Sequence, residues 1–200
     1  MRLIKIAALT GLALSLAGAA HAQRAADLPP IDVTTVVAEV GPGWIKKQTG
    51  EEGVTFVCES DACGGRGVVG VGQAKPSPDY VKLVVAEPDK ALKSFQYGTE
   101  ESLKATGCAF KSFDVRRLSD HRVQYEGLGT CPEGAVAAMT TIFDSERLGM
   151  MSVQILTKSE ADAVKLRDVS VGKIVAALDA PGDAKDDARK DAKTDQPSAR

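Results

Sequence analysis

The 200-residue sequence predicts an α+β domain, an antiparallel sheet covered by a mid-chain helix and a C-terminal helix. Three observations predict it: short β-branched runs separated by Gly, Pro or acidic turns, two stretches with helical apolar stripes, and a final strand in which Met151, Val153 and Ile155 alternate with Ser152, Gln154 and Leu156. Composition agrees, with 44% hydrophobic and 26% charged residues.

The elements follow in order. After a Pro-containing lead-in, residues 31–40 alternate weakly and Gly41-Pro42-Gly43 closes them. Trp44 to Lys47, Val54 to Glu59, Gly67 to Gly72 and Tyr80 to Ala86 read as strands. Pro88-Asp89 then starts a helix to Thr106, with Pro in the first turn and an acid near the positive end of the dipole. Its stripe is Ala91, Leu92, Phe95, Thr99 and Leu103, and Gly107 stops it. A hairpin follows, Phe110 to Arg117 and Arg122 to Leu128, and then Ala135 to Phe143 and Leu148 to Thr157. Ser159 with Asp162 resembles a capping box and opens a last helix with the stripe Val171, Ile174, Val175 and Leu178.

That order, a strand with Gly43-Trp44, a strand block, a helix, three antiparallel strands and a helix ending Ile174-Val175-Ala176-Ala177-Leu178, resembles the PsbP-like fold. The resemblance spans residues 35 to 178. It implies an extracytoplasmic protein with a sheet between helices, and it carries no site residues.

The ends speak to compartment. Arg2 and Lys5, the apolar run Ile6 to Leu16 and Ala20-His21-Ala22 have the layout of a cleavable secretory signal, with cleavage after Ala22. The apolar core is too short to span a bilayer, so no transmembrane segment is expected in the mature chain. The expected divisions are therefore a signal peptide at 1–22, a lead-in at 23–34, one domain at 35–178 and a charged tail at 179–200. The tail has six Asp and five Lys or Arg but no large apolar residue, and it cannot offset its ordering entropy. A periplasmic or secreted location is the expectation. The formal charge of −2, which becomes −4 once Arg2 and Lys5 are removed, gives no basic surplus for nucleic acid.

Cys58, Cys63, Cys108 and Cys131 are even in number and lie in the exported part, which favours two disulfides in an oxidising compartment. Of three connectivities, local features favour Cys58–Cys63, around a short acidic loop, and Cys108–Cys131, across the hairpin. With Ser119-Asp120 as a two-residue loop, 118 pairs with 121 and 108 falls opposite 131. Matching apolar faces instead prefers Phe113 opposite Tyr125 and Val115 opposite Val123, one residue away, and a bulge near Gly127 or Gly129 would reconcile the two.

Chemistry is sparse. Gly65-Arg66-Gly67-Val68-Val69-Gly70 matches G-x-G-x-x-G literally but precedes a strand pattern rather than a helix, so no dinucleotide cofactor is expected. The spacing of Cys58 and Cys63 is C-x4-C, not the C-x-x-C of a redox dithiol. His121 is the single histidine after residue 22, which excludes a multi-His metal centre, and its neighbours Ser119 and Asp120 do not make a triad by adjacency. Glu59 and Asp61 are two carboxylates where Ca²⁺ prefers six to eight oxygens. No catalytic, cofactor or metal residue is assigned. The expected function is a monomeric, non-catalytic envelope module that binds a protein, cell-wall or small apolar partner through its sheet or an inter-helix groove. The alternative is a small hydrolase using Ser119, Asp120 or His121, or a thiol oxidoreductase using Cys58 and Cys63.

Overall fold

A computed structural model describes residues 31–50 and 52–180. The signal-like segment 1–22 and most of the charged tail fall outside these residues. Seven strands form one antiparallel sheet: β1 (Trp44–Gly50), β2 (Gly53–Ser60), β3 (Gly65–Ala74), β4 (Ala109–Ser119), β5 (Arg122–Thr130), β6 (Val136–Asp144) and β7 (Gly149–Thr157), in the spatial order β1-β2-β3-β7-β6-β5-β4. The α+β class expected from the sequence is therefore present. The chain builds β1 to β3, crosses to the far edge through two helices, and returns by a four-strand meander until β7 pairs with β3. Among the described residues no helix is long and apolar enough to cross a membrane.

Among the described residues four α-helices cover the two faces: α1 (Val33–Val36), α2 (Pro78–Ala86), α3 (Pro88–Leu103) and α4 (Glu160–Asp179). One face carries Val54, Phe56, Val69, Val71, Val136, Ala138, Ile142, Met151, Val153 and Ile155, all buried beneath α1 and α4. From α4, Ala163, Val171, Ile174 and Leu178 complete this core, at the i, i+3, i+4 spacing the terminal stripe predicted. The Ser159 side chain accepts the Asp162 N–H and caps the helix as expected.

The opposite face holds an aromatic core under α2 and the first half of α3. Val81, Val84 and Val85 of α2 bury against Val123, Tyr125 and Phe143, with Ala91, Leu92 and Phe95 of α3 packed beside them. Phe95 meets the ring of Tyr125 at 4.8 Å and of Phe113 at 5.8 Å between centroids, and four of the five Phe residues lie on this side. Gly127 is required by the same packing: a Cβ there would stand 2.6 Å from the Phe110 ring.

Several elements differ from the sequence reading. Tyr80 to Ala86 is not a strand but most of α2, because Ser77 caps it, Pro78 fits the first turn, and Val81, Val84 and Val85 share one helical face. Its Val content, which suggests a strand, is overridden by caps and burial. The weak alternation of 31–40 contains a one-turn helix, nucleated by Asp32, whose Oδ1 accepts the Thr34 N–H at 2.9 Å. Val33, placed in the lead-in by sequence, is fully buried. Asp179, placed in the tail, ends α4 and pairs with Arg122.

The β4–β5 hairpin also resolves differently. Ser119 pairs with Arg122, so Asp120-His121 and not Ser119-Asp120 forms the loop. Val115 faces Tyr125 and Phe113 faces Gly127, a register one residue beyond the turn-derived one and two from the apolar-face one. Irregularities at Lys111 and Leu118, on β4 rather than on β5 near Gly127 or Gly129, absorb the difference and bring Ala109 opposite Thr130. The register that places 108 near 131 is thus correct at the cysteine end alone.

Tyr125 is fully buried and its hydroxyl donates to the Pro88 carbonyl at 3.1 Å. Burial, with smaller contributions from Tyr80 and Asp89, pushes its phenol up to about 12. An unfolded tyrosine titrates near 10, so between roughly pH 10 and 12 the unfolded chain releases a proton that the native chain keeps. Stability is complete below that window and falls through it by about 2–3 kcal/mol. Urea unfolding across the window, compared with Tyr125→Phe, measures this; a variant curve that falls as steeply as the parent's would refute it.

Candidate functional site

The structure scatters most of the sequence candidates. Cys58 with Cys63 and Cys108 with Cys131 form the two expected disulfides. The first closes the turn Asp61–Cys63, with Cys58 buried on the α4 face. Gly65 to Gly70 lies along β3, flanked by β2 and β7, so its glycines open a strand and not a helix. His121 Nε2 sits 3.3 Å from Glu146 Oε2, a partner that the sequence reading missed because it lies on the β6–β7 turn. Ser119 Oγ is buried and meets no hydrogen-bond partner among the described residues. Among the described residues no group of three His, Cys, Asp or Glu side chains could hold a metal.

A polar cluster does fill part of the α4 face. Arg122 is buried on β5, with Nε 3.0 Å from Asp144 Oδ2 and Nη1 2.6 Å from Asp179 Oδ1. Asp144 in turn accepts the N–H groups of Glu146 and Arg147. Glu126 receives Arg116 and Arg167 at 3.2 Å each and also the Gln124 amide. These groups neutralise one another and tie α4 to the sheet, so they are structural.

An uncovered stretch of sheet lies on the other face. The second half of α3 and the turn Lys104–Thr106 run past the sheet without covering β2, β3 and β7. Cross-strand register aligns Ile45 with Val57, Val57 with Val68, Val68 with Leu156 and Leu156 with Ala137. Side chains in register on neighbouring strands share a face, so these residues form one apolar row across five strands. Ile45 is 51% exposed, Val68 39% and Leu156 38%, in contrast to the buried β2, β3 and β7 residues of the opposite face. A lone exposed Val is ordinary; an unbroken row in the middle of a sheet is not.

A groove of about 400 Å³ follows this row, floored by Val68, Gly70, Leu156 and Met139 and walled by Thr99, Leu103 and Phe110. It continues through Val68, Thr106, Cys108 and Leu156 into a second hollow of about 750 Å³ at the sheet end, bordered by both disulfides and by Glu59, Arg66, Glu133 and Lys158. The sequence stripe on α3 is thus divided. Ala91, Leu92 and Phe95 serve the aromatic core, whereas Thr99 and Leu103 line the groove. Position on the stripe could not separate the two uses, because both halves read as core-facing.

No protein-family model matches the chain, and no curated protein matches it in sequence. Several solved structures are similar in outline. The Ran-binding protein Mog1p of Saccharomyces cerevisiae has a TM-score of 0.35 at 13% identity, over 68% of this chain and 82% of its own. The extracellular domain of PknH from Mycobacterium tuberculosis has a TM-score of 0.31 at 14% identity, over 72% and 70%. The human StAR-related lipid transfer protein 5 has a TM-score of 0.26 at 10% identity, over 82% and 95%. Similarity at this level carries no argument about the function of this chain.

Proposed function

We propose that the protein is an exported, non-catalytic binding module whose ligand site is the groove beside α3. The apolar row Ile45–Val57–Val68–Leu156, held open on a sheet whose other face is covered, carries this reading. Two disulfides support export, since such bonds persist in oxidising compartments. The groove combines apolar walls with a few polar groups, in the volume range of small-molecule sites. Its small polar lining, Thr55, Thr99, Thr106 and Gln154, can orient a ligand, and none of these is a nucleophile paired with a base.

The test is binding of an uncharged or amphiphilic apolar fluorophore whose emission rises on transfer from water. The parent protein binds it saturably, and Leu156→Glu weakens binding by at least about tenfold, equivalent to 1.4 kcal/mol. Leu156 is partly exposed, so the variant keeps its fold and its unfolding temperature within a few degrees. Equal binding by parent and variant would remove the groove from consideration.

A further inference from the structure

The groove has two chemically different ends. Beneath Leu103 it is lined by apolar and uncharged polar side chains; at the sheet end it opens between Glu59, Arg66, Glu133 and Lys158. Glu59 lies directly across from Arg66 in the β2–β3 register, while Glu133 and Lys158 border the mouth from the turn after β5 and the end of β7. No ion pair within 4 Å joins any of these four groups to another among the described residues, in contrast to Glu126 and Asp144, which are fully engaged. The mouth therefore presents two cations and two anions, each available to a ligand.

Resting on the binding reading above, we infer that the ligand is a single-chain zwitterionic amphiphile, its chain along Val68, Leu156 and Leu103 and its head between the charges at the mouth. A purely anionic head would meet Glu59 and Glu133, and a purely cationic one Arg66 and Lys158; each juxtaposition of like charge disfavours binding. A head with a phosphate and an ammonium satisfies both pairs. Because the charged groups are exposed, they select among heads more than they add affinity, and burial of the chain supplies most of the binding free energy. The groove is one trough between α3 and the sheet, which suits one chain.

Titration calorimetry with a medium-chain lysophosphatidylcholine below its micelle concentration tests this, alongside the fatty acid and the alkyltrimethylammonium ion of equal chain length. The lysophospholipid is expected to bind at least about tenfold more tightly than either, a gap of about 1.4 kcal/mol. Glu59→Gln with Glu133→Gln should bring the fatty acid level with the lysophospholipid, and Arg66→Gln with Lys158→Gln should do the same for the cation. All four side chains are at the mouth and outside the core, so these variants fold. Equal affinity for the three heads would overturn the zwitterion inference and leave the groove reading intact. Failure of all three amphiphiles to bind, or a concentration-dependent dimer that Leu156→Glu dissolves, would overturn both.

Discussion

Arg122→Met is expected to lower the unfolding free energy by about 3–5 kcal/mol, because it leaves the buried Asp144 carboxylate without its cation. The guanidinium does more than neutralise that charge. Its Nη1 reaches Asp179 and its Nη2 the Leu178 carbonyl, where the last turn of α4 presents unpaired oxygens and negative dipole. Arg147 also donates to the Leu178 carbonyl, so the end of α4 is held by Arg122 at the start of β5 and Arg147 in the β6–β7 turn. Asp179 is 63% exposed at its side chain, and Asp179→Ala should cost less than about 1 kcal/mol, as for other solvent-screened pairs. Chemical denaturation of both variants decides the matter. Equal losses would show that Asp144 finds enough compensation from the Glu146 and Arg147 amides alone.

None of this network was legible in the sequence. Arg122 and Asp179 are separated by 57 positions, and only the return of α4 across β6 and β7 brings them together. Local features were legible where one chemistry dominated: Ser159 as a cap, Gly107 at φ +72° as a stop, and the alternation of Met151, Val153 and Ile155 facing α4. They failed where two signals competed. In Tyr80 to Ala86 the valines favour a strand while Ser77 and Pro78 favour a helix, and burial of Val81, Val84 and Val85 in the aromatic core settles it for the helix. In the β4–β5 hairpin, turn geometry and apolar matching each asked for a uniform register, and two irregularities in β4 made a third. The sequence pointed to binding through the sheet or an inter-helix groove without naming residues, and the groove residues themselves were not legible. Whether Val68 and Leu156 are core or surface depends on how far α3 reaches across the sheet, and periodicity says nothing about that.

Replacing Cys108 and Cys131 by Ser should cost roughly 2–4 kcal/mol, more than the same change at Cys58 and Cys63. Under loop-closure entropy the difference follows from the separations, 23 residues against 5. Position adds to it. Cys108 links the turn that ends the α3 segment to the first residue of β4, and Cys131 follows β5, so the bond fixes the groove wall to the sheet beneath it. Without it, the segment from Thr106 to Phe110 keeps the edge pairing of β4, which is irregular at Lys111, and the ring contact of Phe110 with Phe113. The Cys108→Ser, Cys131→Ser variant should therefore exchange amide hydrogens faster at the start of β4 and lose fluorophore affinity, while the Cys58→Ser, Cys63→Ser variant should keep both near the parent values. Thermal unfolding with site-resolved hydrogen exchange separates the global loss from the local one. A uniform rise in exchange, with the affinity unchanged, would mean that the bond stabilises the fold without shaping the groove.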